Sequence, residues 1–112
     1  MLITYKNSKL EKEFCDLKLL KRRWGDKQGY LIAQRLTEIG AAENLADLAR
    51  LPQLRVHELK ADRKGQISID LKHPYRLLIV PDHEETPLKE DGGLDWPKIT
   101  RVKVLGVEDT HD

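Results

Sequence analysis

The hydrophobic period of this chain changes at Pro52. Upstream, Leu10, Phe14, Leu17, Leu20 and Trp24, and then Tyr30, Ala33, Leu36 and Ile39, recur at the spacing that puts apolar side chains on one face of a helix. Downstream, Leu54 and Val56 alternate with polar residues, and Ile67, Ile69 and Leu71 alternate with Gln66, Ser68 and Asp70, the period of a half-buried strand. Proline lacks the N–H that a continuing helix needs, so the switch falls where the backbone itself changes. Helices first and strands afterwards define an α+β domain, with the helices on one face of the sheet.

Local signals fill in the order. Leu2 to Tyr5 is a short β-prone run. Ser8 and Glu11 have the spacing of a capping box and predict a helix from Ser8 to Trp24, stopped by Gly25, with Asp26 capping a second helix that ends at Gly40. Leu45, Leu48 and Ala49 suggest a further short helix before Pro52. The turn Arg63-Lys64-Gly65 joins two strands into a hairpin, and His73-Pro74 turns the chain into Tyr75–Val80, apolar enough for a central strand covered on both faces. Residues 81–97 read as a polar, acidic loop, and Ile99 to Glu108 as the last strand. The apolar phase of that strand shifts between Val104 and Leu105, which suggests a bulge or a strand covered on both faces. The expectation is one compact domain over residues 1–112, an N-terminal strand and a helical hairpin packed on a mostly antiparallel sheet of four to five strands.

Net charge is +1, but its distribution is uneven. Residues 1–35 carry nine Lys or Arg against four acids, a net of +5, and residues 81–112 carry four against nine, a net of −5. A fold that gathers the basic segments presents a face able to follow a phosphate backbone, although charged residues also serve simply to solvate helix faces. The single Cys15 excludes a disulfide framework and cannot anchor a cysteine-rich zinc site, so neither metal nor cofactor is expected. No apolar run approaches the roughly 20 residues of a membrane span, and the first residues lack the order of a signal peptide, so a cytoplasmic protein is expected.

Among the polar residues, Arg76 is the one charge within an apolar run. A buried guanidinium without a counter-charge is costly, so Arg76 must reach a partner, for which Asp70 is available, or a cleft. His57 falls in the first hairpin strand, where it is either a hydrogen-bonded strand residue or a proton-transfer group. Trp24 reads as helix packing, Trp96 as an anchor for the long loop, and His83 as a surface residue.

The stretch LARLPQLRVHELKADRKGQISIDLKHPYRLLIV, the later DGGLDWPKITRVKVLGVED and the ending Asp109-Thr110-His111 resemble the HigB-like branch of the RelE/ParE toxin superfamily. The likeness extends over essentially the whole chain and is most specific from Leu54 to Val80. It implies the RelE-like fold and the toxin half of a toxin-antitoxin pair, a ribosome-dependent endoribonuclease that cuts mRNA during translation without a metal. By the same resemblance, His57, Arg76, Asp109 and His111 are the catalytic candidates, and Lys60, Arg63, Lys64, His73 and Thr110 the RNA- or phosphate-binding ones. The implied partners are a helix-turn-helix, HigA-like antitoxin, the ribosome with its translated mRNA, and operator DNA only through the antitoxin. The family pattern ends in Asp-Tyr-His, whereas this chain has Thr110 at the middle place, which removes a ring on which a base would stack. The competing expectation is a non-nucleolytic protein on the same fold, such as a DNA gyrase inhibitor or an inactive homologue.

Overall fold

The computed structural model describes residues 1–109. Strand β1 (Leu2–Tyr5) leads into helices α1 (Ser8–Phe14), α2 (Leu17–Trp24), α3 (Asp26–Ala41) and α4 (Leu45–Leu48). Strands β2 (His57–Glu58), β3 (Ile67–Asp70), β4 (Tyr75–Pro81) and β5 (Arg101–Asp109) follow. The five strands form one sheet in the order β1-β5-β4-β3-β2, parallel between β1 and β5 and antiparallel elsewhere. The molecule is thus an α+β domain on a mixed sheet. No helix among the described residues is long and apolar enough to cross a membrane.

The helical region departs from the expected two-helix hairpin in instructive ways. Asn7, not Ser8, is the cap of α1: its backbone is extended and its Oδ1 accepts from the Leu10 N–H at 2.8 Å. The expected single helix to Trp24 is broken at Cys15–Asp16, because the Asp16 carboxylate accepts from the N–H groups of Lys18 and Leu19 and so starts a second helix. The apolar spacing in the sequence runs across this break unchanged, yet Leu17, just past it, is exposed. Gly25, at φ 86°, joins α2 to α3, and Asp26 lies within the first turn of α3 instead of capping it. The helix α3 passes through Gly40 to Ala41. A methyl at Gly29 would stand 2.9 Å from the Lys21 backbone, so α2 and α3 approach closely there.

Leu77 and Ile79 of β4, Ile67 and Ile69 of β3, and Val102 and Val104 of β5 pack with Phe14, Leu20, Ile32 and Ile39 in the core under the helices. Truncating a fully buried member such as Leu20 to alanine would remove about 2–5 kcal/mol of stability. As β4 sits in mid-sheet, its three successive residues Leu77, Leu78 and Ile79 are all buried, in keeping with a strand covered on both faces.

The register places Leu78 opposite Gly106 but Ile79 opposite Val104, so Leu105 is the extra residue of a bulge. This is where the apolar phase shifts. Gly106 holds φ 137°, a conformation L side chains rarely adopt.

The alternation at Leu54 and Val56 is not a strand. Pro52–Leu54 forms a 3-10 turn, Arg55 takes a left-handed conformation at φ 44°, and β2 spans only two residues. The long loop closes on itself through a Leu88–Leu94 bridge. Trp96 Nε1–H donates to Glu58 at 3.4 Å, anchoring that loop as expected. His83 is not merely a surface residue: its Nε2 accepts from the N–H groups of Thr100 and Arg101 at 3.0 and 3.4 Å.

Candidate functional site

Because Leu77 and Ile79 face the helices, the alternate residues of β4 face the other side of the sheet. Arg76 is one of them. The register sets Asp70 of β3 and Glu108 of β5 on either side of it. Asp70 Oδ1 stands 3.5 Å from Arg76 Nε, and its Oδ2 stands 3.7 Å from Arg55 Nε. At the far end, Arg63 Nη2 donates to Glu108 Oε1 at 2.6 Å. Charges of alternating sign, Arg55, Asp70, Arg76, Glu108 and Arg63, therefore cross this end of the sheet.

Arg55, Val56, His57, Asp70 and Arg76 line one open cavity of about 480 Å³. His57 is exposed there; its strand partner Ser68 is buried and donates from Oγ to the His57 carbonyl at 3.5 Å. The Arg76 side chain is one-third exposed, and among the described residues its Nη groups make no hydrogen bond. With Nε turned toward Asp70, the planar end of the guanidinium is left to meet an anion bidentately. Two guanidinium groups against one carboxylate leave this cavity with a surplus positive charge next to an imidazole. Such a set can hold a phosphate oxygen and move a proton beside it.

The candidate residues divide accordingly. The fold brings His57 and Arg76 into one cavity, and Arg63 reaches the same row through Glu108. Lys60 and Lys64 bracket the 3-10 turn Ala61–Arg63, are exposed, and do not line the cavity. His73 belongs to a different cavity, beside Trp24, Gln28 and Tyr75. Asp109 ends β5 opposite Tyr75, one residue beyond the Glu108 that faces Arg76. Thr110 and His111 lie outside the described residues.

Arg55 was not among the candidates read from the sequence. Its nearness to His57 along the chain was the available signal, and strand alternation does not extend to it because β2 begins at His57. Its left-handed backbone gave no sequence signal, because non-glycine residues seldom adopt one. No protein-family model matches the chain, and no curated protein matches it.

Proposed function

We propose that this protein is a HigB-like toxin of the RelE/ParE superfamily, with the RelE-like fold, that cuts mRNA on the translating ribosome. The observation that carries the proposal is the meeting of His57 and Arg76, two residues singled out in sequence, in one cavity with Arg55 and Asp70. The Leu54–Val80 resemblance supplies the substrate class.

In this reading, Arg76 and Arg55 hold the scissile phosphate and offset the charge that builds on it as the ribose 2′-oxygen attacks. His57 takes or gives a proton, and the resemblance adds Asp109 and His111 as further catalytic candidates. The 2′-OH loses its proton, the phosphorus–5′-oxygen bond breaks, and a proton returns to the departing oxygen. One fragment ends in a 2′,3′-cyclic phosphate and the other in a 5′-OH. Lys60, Arg63 and Lys64 on the β2–β3 connection, with Thr110, contact flanking phosphates. The protein acts in the cytoplasm, and a HigA-like antitoxin holds it inactive and carries it to operator DNA.

A second reading, a non-nucleolytic binding protein such as a gyrase inhibitor, is favoured by Thr110 standing where the family pattern has tyrosine. Primer extension on an mRNA translated in vitro, with and without the protein and with a ribosome-free control, separates the two. New 5′ ends inside translated codons that need ribosomes support the nuclease. Intact mRNA with folded protein favours the second reading.

A further inference from the structure

We infer that the cavity between the α2–α3 turn and the β3–β4 turn is a nucleotide subsite that stacks a base on Tyr75 and receives its phosphate on Lys72. The inference deepens the RNA reading above and rests on it, since that reading supplies a ligand that is flat at one end and anionic at the other.

The cavity measures about 480 Å³, as large as the one at Arg76, and is lined by Trp24, Gln28 and Tyr75, with Lys27, Lys72 and His73 set against the single carboxylate of Asp26. Its aromatic component is a pair: Trp24 and Tyr75 meet edge to face, centroids 5.7 Å apart at 68°. Packing of this kind fixes both rings, yet Tyr75 keeps 38% of its surface exposed. An exposed ring braced from one side is what stacking on an unpaired base requires. Its cationic component is equally available, because Lys27 and Lys72 form no ion pair among the described residues.

The wall is rigid where the phosphate would sit. Gln28 is buried and bonds the Lys72 backbone twice, its Nε2 donating to the Lys72 carbonyl at 3.2 Å and its Oε1 accepting from the Lys72 N–H at 3.0 Å. These bonds pin the β3–β4 turn to the start of α3. Tyr75 and Arg76 are consecutive on β4 and turn to opposite faces, one into each cavity. A single RNA strand that wraps around this end of β4 would meet both.

The test is an NMR titration of the whole protein with adenosine 5′-monophosphate, followed at the Trp24 indole N–H and the amides of Lys72 and Tyr75. Saturable shifts at these groups are expected, weakened about tenfold by Tyr75→Ala and retained by Tyr75→Phe, which keeps the ring and its packing. Lys72→Ala should weaken binding and flatten its salt dependence. An absence of saturable shifts, shifts confined to the Arg55–Arg76 cavity, or shifts indifferent to Tyr75→Ala would overturn the subsite. The titration uses no ribosome, so its failure is separable from that of the nuclease reading: cleavage without shifts removes this site, and shifts without cleavage uphold it while removing the nuclease.

Discussion

Asp70 and Arg76 face each other across β3 and β4 with Oδ1 3.5 Å from Nε, and the same carboxylate reaches Arg55 at 3.7 Å. One anion thus holds two cations apart and orients the inner one. Asp70→Asn keeps the shape and removes that charge. With both arginines released toward substrate, KM for mRNA-programmed ribosomes should fall, while kcat falls as well because Arg76 loses its orientation. Stability should change by about 1 kcal/mol or less, as for other partly exposed pairs, and urea unfolding checks this. A fall in kcat that merely tracks lost folded protein would contradict the assignment.

Arg76 itself should matter far more to turnover than to folding. Arg76→Ala is expected to reduce cleavage by about 10²–10³-fold, the scale of losing one group that stabilises developing charge. Arg76→Lys should recover little, since an ammonium cannot present two parallel donors. Single-turnover cleavage of ribosome-bound mRNA measures both.

The Arg63–Glu108 ion pair ties the β2–β3 connection to β5. Both side chains are well exposed, so Glu108→Gln should cost about 1 kcal/mol or less. Its effect should appear instead as faster hydrogen exchange at the amides of residues 60–65, the segment that carries Lys60 and Lys64. Unchanged exchange there would show that the pair does not order the turn.

The bulge at Leu105 decides which face of the sheet each later β5 residue occupies. A Cβ at Gly106 would meet nothing within 4 Å, so Gly106→Ala isolates the backbone cost of φ 137°. The expected loss is about 1–3 kcal/mol in denaturant unfolding, and a smaller loss would mean the bulge relaxes. Deleting Leu105 should instead remove the bulge while leaving Val104, Gly106 and Val107 in regular alternation opposite Ile79, Leu78 and Leu77.

Tyr5 provides a pH dependence. Burial, and after it the neighbouring Cys15 thiol, push its phenol well above its ordinary value near 10. The unfolded chain therefore loses this proton at lower pH than the folded one, and between the two values the native state binds more protons. Stability should be unaffected below about pH 9 and fall as pH rises past about 10. Tyr5→Phe should remove that part of the slope. An equal slope in the two proteins would contradict it.

Much of this arrangement was legible in sequence where one physical constraint acted alone. The phase shift at Val104–Leu105 pointed to a bulge or to a strand covered on both faces, of which the register shows the bulge, and Arg76 demanded a partner or a cleft because its run was otherwise apolar. Legibility failed where two structures satisfy the same pattern. A helix broken at Asp16 and an unbroken one fit the same apolar spacing, and Leu54 and Val56 alternate equally well through a 3-10 turn and a left-handed Arg55. The site was half legible for a related reason: His57 and Arg76 stand out singly, but Arg55 meets Asp70 from outside any strand, and such a meeting is not written locally. His73 lies near the hairpin in sequence, yet its turn carries it to the other cavity.

The central claim, that the Arg55–His57–Arg76 cavity serves cleavage by a 2′-oxygen, is tested most directly by placing a single 2′-deoxynucleotide at the mapped cut in an otherwise ribose mRNA. On translating ribosomes the unmodified message should be cut within codons, leaving a 2′,3′-cyclic phosphate, and the substituted message should remain whole at that position. Cleavage that persists at the deoxy position, or an unmodified message left intact by folded protein, would contradict the account.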